Sequence, residues 1–184
     1  HFGSVGLAPY PMKETTDRLI NFAMINNKLI SFDVNVREML FPDKVKYLET
    51  IKTYIQRAHI IKCSQEELTW ITKETDIHQG VKQLFTDHHQ LFIISDGSKG
   101  VYAFTKNHTF FEPSIQTDVV DTTGAGDALM GGMLYQLSLQ PHPFYDIAWI
   151  QEALSFSVKV ATLTIQKKGA MESLPTLEEI LIKF

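Results

Sequence analysis

Short apolar runs alternate along the chain with longer stretches in which apolar residues recur every three to four positions, and the two periods predict strands and helices in turn. "KETTDRLINFAMINN" sets Leu19, Ile20, Phe22, Ala23 and Met24 at helical spacing, with Thr15 or Thr16 available as its cap. "KLISFDVNVR" is a compact apolar run that finishes on Asp33, Asn35 and Arg37, the pattern of a buried strand whose carboxyl end meets solvent or ligand. Pro42 and Asp43 then open a helix through "PDKVKYLETIKTYIQRA", with Val45, Leu48, Ile51 and Ile55 on one face, and "HIIKCS" is a second buried strand. Ser64 with Glu67 three residues later has capping-box spacing, so a helix starts in "SQEELTWITK", and a further one covers Ile77 to Phe85. "QLFIISDG" is a third buried strand ending in a glycine turn, and "VYAFT" with "HTFFEP" reads as a hairpin. "TDVVD" then delivers the chain, as strand, to a long apolar helix from about Asp127 to Leu139. The loop "QPHP" leads to another helix through "IQEALSFSVKVATLTI", and "TLEEILIKF" closes the chain as a short helix.

Strands alternating with helices imply right-handed crossovers and an α/β fold: a mainly parallel sheet with helices on both faces, in three layers. In such sheets ligands bind beyond the carboxyl ends of the strands. Asp33/Asn35/Arg37, Lys62/Ser64/Glu67 and Asp121 to Asp127 fall at those ends, so the reading brings them to one rim. A length of 184 residues suits one domain. With 44% apolar and 21% charged residues the chain is of ordinary globular composition, not disordered or fibrous. A formal charge of −4 without a basic stripe argues against a nucleic-acid partner. Cys63 stands alone, so no disulfide supports the fold, and a reducing, cytoplasmic compartment is expected. No apolar run reaches the roughly 18 residues of a membrane span. The opening "HFGSVGLAPY" reads like mid-domain sequence, which suggests a fragment or processed product.

The chemistry concentrates in "VVDTTGAGDALMGG", Val119 to Gly132. Gly124 and Gly126 flank Ala125 at the entrance to a helix, where the backbone turns tightly and no side chain blocks its amides. First-turn N–H groups lack intrahelical partners and carry about half a positive charge, which suits an anion such as phosphate. Asp127 would merely cap the helix in a structural protein; beside a bound phosphate its carboxylate can also accept a proton. A dinucleotide fingerprint fails because Leu129 stands where its third glycine is needed, and the P-loop pattern is absent. An anion cradle with an attached carboxylate remains.

"DTTGAGDALMGGML" resembles the C-terminal signature of the PfkB carbohydrate kinases, the ribokinase and fructokinase family. "HFGSVGLA" is similar to that family's central strand, "FDVNVR" to its "FDPNxR", "KCSQEEL" to its "KxSxEE" segment, "ISDGSKG" to its "TxGxxG" loop and "QKKGAMESLPTLEEI" to its closing stretch. The resemblance implies a ribokinase-like fold. Residues 1–184 then form the C-terminal nucleotide-binding and catalytic portion, the N-terminal part and β lid of the family being missing. It also implies transfer of the γ-phosphoryl group of ATP to a sugar hydroxyl, fructose to fructose 6-phosphate in the fructokinase branch. Magnesium would be required, with a monovalent cation such as K+ as a further candidate, and a full-length parent could pair as a homodimer.

By the same resemblance Asp127 is the base, and Gly124, Ala125 and Gly126 supply the anion hole. Thr123, Ser64, Ser95, Gly97 and Gly100 lie on the nucleotide or phosphate side. Asp33, Asn35 and Arg37 face substrate or phosphate, and Glu67 holds magnesium through water. Asp121 fixes the cradle or touches phosphate. Ser64 stands where many members have Asn, Ser95 and Asp96 replace the usual Thr and hydrophobic residue, and Val158 replaces an Asn near adenine. Kinases of 2-keto-3-deoxygluconate, ribose and nucleosides share this half. A non-catalytic kinase-like scaffold is the other alternative, against which the retained glycines and Asp127 speak. His88 and His89 read as a solvated helix end and Trp70 and Trp149 as core, while the Gly131/Gly132 pair implies close packing on the sheet.

Overall fold

The apolar runs fold as six strands: β1 Phe2–Gly3, β2 Ser31–Asp33, β3 Ile60–Ser64, β4 Leu91–Ser95, β5 Gly100–Phe104 and β6 Thr109–Pro113, hydrogen-bonded in chain order. The computed structural model describes residues 1–184 and divides into two compact units, His1–Ser95 with Ala103–Thr109, and Asp96–Tyr102 with Phe110–Phe184. No helix is long and apolar enough to cross a membrane.

In the first unit β1 to β4 are parallel neighbours, with Gly3 opposite Asp33, Asp33 opposite Lys62 and Ser64 opposite Ser95. Ile60 to Cys63 and Leu91 to Ile94 are buried throughout, which a strand achieves when both faces are covered. The "KLISFDVNVR" run contributes only three strand residues, because Asn35 adopts a left-handed conformation with φ 37° and turns the chain out of the sheet.

The connecting helices are α1 Met12–Ile25, α2 Lys44–Ile55, α3 Gln65–Thr72 and α4 Ile77–Leu84. Asp43 caps α2 by accepting the amides of Val45 and Lys46, and Ser64 with Glu67 forms the expected capping box of α3. α1 differs from expectation. It starts after Pro11, and Thr16 lies inside the helix with its hydroxyl donating to Gly6 O at 2.7 Å. That bond settles which face turns inward: Thr16 and Ile20 are buried, while Leu19, Phe22 and Met24 are exposed. Val45 is likewise exposed, and the inner face of α2 is Tyr47, Ile51, Tyr54 and Ile55. His89 is not solvated but only 2% exposed. Its Nε2 donates to Ile55 O at 2.9 Å, and its Nδ1 accepts the Thr86 N–H at 2.8 Å.

The second unit holds α5 Ala125–Ser138, α6 Ile147–Thr164 and α7 Leu177–Lys183. The expected strand "TDVVD" is absent; the segment is a loop, hung by the amides of Val120 and Asp121 on Ile165 O at 2.8 and 3.2 Å. Two donors converging on one carbonyl leave no ladder to extend. Gly132 packs on α6, where an added Cβ would lie 3.0 Å from Ser157 Cα, whereas a Cβ on Gly131 would meet open space. The pair therefore has one packing reason, and it is the neighbouring helix. Trp149 is half-buried, its Nε1 donating to Gln136 O at 3.2 Å.

Candidate active site

The residues singled out by sequence fall in both units: Asp33, Asn35, Arg37, Ser64, Glu67 and Ser95 in the first, and Gly97, Gly100 and Thr123 to Asp127 in the second.

In the first unit β2 and β3 carry Asp33 and Lys62 to adjoining carboxyl ends. Lys62 Nζ lies 3.1 and 2.9 Å from the two carboxylate oxygens, with both side chains almost fully buried. Asp33 is thus part of a buried ion pair. Glu67, at the head of α3, accepts the Val36 N–H at 2.6 Å through Oε1 and the Ser64 N–H at 2.8 Å through Oε2. The Ser64 hydroxyl in turn accepts the Glu67 N–H at 3.2 Å. Arg37 is exposed; its amide donates to Tyr47 Oη at 2.9 Å and its Nη1 to Val36 O at 3.1 Å. Ser4, missed by the sequence reading, donates to Asn35 O at 2.6 Å. Nothing in the local pattern links Ser4 to a loop 31 residues away.

In the second unit the glycine cradle precedes α5. Gly124 has φ 81°, and a Cβ there would lie 3.2 Å from Ala170 Cα, so only glycine meets both the turn and the contact. The Ala125 N–H donates to Thr122 O at 3.2 Å and the Ala128 N–H to Gly124 O at 2.8 Å. The amides of Gly124 and Gly126 have no protein acceptor, as is usual for first-turn N–H groups. Asp127 is exposed in the first turn. Of the three amides expected to form an anion hole, Ala125's is the one already engaged.

Asp121 braces this cradle, accepting the amides of Thr123 and Gly169. Gly169 and Ala170 were given no site role by sequence, although their "GA" belongs to the closing stretch quoted for the resemblance. Gly97, with φ 51°, lies in an open turn tied by Ser114 Oγ to Gly97 O at 3.0 Å. Gly100 is held by packing, since a Cβ would come within 2.3 Å of Glu112 O. No three His, Cys, Asp or Glu side chains gather at one point.

A mainly parallel sheet with helices, and an aspartate-bearing helix entered through a glycine turn, define an α/β protein. The chain belongs to the pfkB family of carbohydrate kinases, which it matches over residues 1–177. Among curated relatives it is 34% identical over 182 residues to the probable chloroplastic fructokinase-6 of Arabidopsis thaliana, covering 98% of this chain and 47% of that protein. It is 33% identical to fructokinase-2 of Zea mays, covering 96% and 53%. The crystal structure of Vibrio cholerae O395 fructokinase with fructose, ADP and calcium superposes with a TM-score of 0.91 at 30% identity, over 99% of this chain and 59% of that one. The Salmonella enterica aminoimidazole riboside kinase bound to its riboside and an ATP analog gives 0.89 at 31%, over 98% and 60%. The fold is therefore ribokinase-like, and the chain spans about half the length of the curated relatives it matches.

Proposed function

We propose that these residues are the C-terminal, nucleotide-binding and catalytic portion of an ATP-dependent sugar kinase of fructokinase type. The observation that carries the reading is Asp127, exposed in the first turn of α5 beside the unpaired amides of Gly124 and Gly126. The sugar hydroxyl oxygen attacks the γ-phosphorus of ATP, the bond to the bridging oxygen breaks, ADP leaves, and the hydroxyl proton passes to Asp127. Negative charge on the transferring group meets the cradle amides, which are fixed beforehand by the Asp121 brace and the Gly124 turn. Magnesium, when bound with the nucleotide, neutralises charge on its phosphates. Glu67 is its outer-sphere holder by family resemblance, and a monovalent cation remains a further candidate. Thr123, Ser64, Ser95, Gly97 and Gly100 line the nucleotide side in this reading, and Asp33, Asn35 and Arg37 the substrate or phosphate side.

Fructose is the preferred acceptor because the plant and Vibrio relatives are named fructokinases and the Vibrio structure holds fructose. A riboside acceptor is the second reading, since the Salmonella kinase is a nearly equal structural match, with a TM-score of 0.89 against 0.91. The test is ADP release with fructose, ribose and a riboside as acceptors, using the longest natural chain that contains these residues. Asp127→Asn should lower turnover by about 10²–10⁴-fold while nucleotide affinity stays within about threefold. Near-normal turnover in that variant would remove Asp127 from the chemistry.

A further inference from the structure

Beyond Asp33 the chain leaves the sheet under close control. Lys62 O accepts the Val34 N–H at 2.9 Å, Ser4 Oγ donates to Asn35 O, Glu67 accepts the Val36 N–H, and Tyr47 Oη accepts the Arg37 N–H. Asn35 is left-handed, a conformation that a residue with a side chain keeps under constraint from its surroundings. Of these contacts the Glu67 carboxylate is the charged one, and it is shared. Its second oxygen accepts the Ser64 N–H and closes the capping box of α3. One carboxylate therefore ties the segment after β2 to the head of α3. The Val36 peptide carries the tie further: its N–H meets Glu67, and its carbonyl accepts the Arg37 guanidinium at 3.1 Å.

We infer that Glu67 is a positioning residue: through the main chain of Val36 it holds the Asn35 turn and aims the Arg37 guanidinium. A carboxylate is required because it alone offers two acceptor oxygens to two convergent amides while matching their partial positive charge. Glutamine offers a single acceptor oxygen and presents an N–H₂ to the other amide. Losing the carboxylate should thus be felt as misplacement of Arg37. The inference rests on the proposed kinase function in one respect, that Arg37 meets a substrate or phosphate.

Two measurements test it. In this chain, Glu67→Ala should speed hydrogen exchange at both Val36 and Ser64 amides by at least about tenfold, and Glu67→Gln should do so at one of them at least. Asp76→Ala, which removes the cap of α4, controls for stability loss alone. In the longest natural chain containing these residues, Arg37→Ala identifies the substrate whose KM it raises. Glu67→Ala should raise that same KM about tenfold and add little when combined with Arg37→Ala. Full additivity of the two substitutions would show that Glu67 does not act through Arg37 and would overturn the inference. Should the wild-type chain have no kinase activity, the proposed function fails and the exchange measurement decides the tie: unaltered Val36 exchange in Glu67→Ala overturns it.

Discussion

Asp121 accepts the Gly169 N–H at 3.0 Å through one carboxylate oxygen and the Thr123 N–H at 2.9 Å through the other, so the approach to the glycine cradle is fastened to the loop that packs on it. The Thr123 hydroxyl, the Gly169 amide and the Thr123 amide together hold this carboxyl down to about 2. A carboxyl depressed in the folded state stabilises fully above its ordinary value of about 3.9, and the contribution is lost as pH falls from there through the folded value. A carbon-13 titration should find Asp121 still ionised at pH 3. Asp121→Asn, with one acceptor oxygen, should release the Thr123 or the Gly169 amide to faster exchange; a carboxyl titrating near 4 would contradict the brace.

Three glycines in the second unit should respond differently to alanine. Gly97→Ala meets no atom and should cost about 1–2 kcal/mol for the left-handed backbone alone. Gly124→Ala adds contacts of 3.2 and 3.3 Å with Ala170 and should cost more. Gly100→Ala would drive a methyl to 2.3 Å from Glu112 O and should be the most damaging, roughly 3 kcal/mol or above. Denaturant midpoints would rank them, and equal losses would show that local space does not govern.

The Asp33–Lys62 pair should behave as a buried unit. Lys62→Met removes the lysine from a buried carboxylate and should cost about 3–5 kcal/mol, whereas Asp33→Leu with Lys62→Met should recover much of that loss. A double-mutant cycle in urea measures the coupling, and simple additivity would mean that the two charges do not depend on each other.

Acid should loosen the amino ends of the strands. Burial, foremost, and the nearby His88 hold His59 and His89 below the usual histidine range. His59 Nδ1 accepts the Ile30 N–H at 3.0 Å and His89 Nδ1 accepts the Thr86 N–H, so an added proton would face a donor in each case. Groups depressed in this way bind protons more readily when unfolded. Stability is therefore complete above about pH 6.5 and declines as pH falls through that value. Urea midpoints from pH 7.5 to 5 should fall accordingly, and replacing both histidines by glutamine should flatten the profile.

How much of this was legible depended on whether the cause was local. The capping box of Ser64 and Glu67, the Asp43 cap and the buried runs of β3 and β4 follow from neighbours within a few residues, and each was readable from spacing. The cradle was readable too, because glycine at a helix entrance has a backbone meaning. What escaped depends on distant partners. Thr16 is drawn inward by Gly6 O, His89 is buried by the Ile55 carbonyl, and "TDVVD" is held as loop by Ile165 O, none of which leaves a periodic trace. Glu67 was recognised as a capping acid, but its grip on Val36, 31 residues earlier in the chain, becomes evident only in three dimensions.

Gly132 deserves a last consequence. Because Ser157 sits against its bare α-carbon, α5 has no room to roll about its own axis, and near its other end the Trp149 indole is latched to the Gln136 carbonyl. The two helices form a strut with no pivot between those points. The bearing of Asp127 is thereby set along the length of α5, and a bulkier residue at position 132 would swing that carboxylate from about one and a half turns away without touching the cradle.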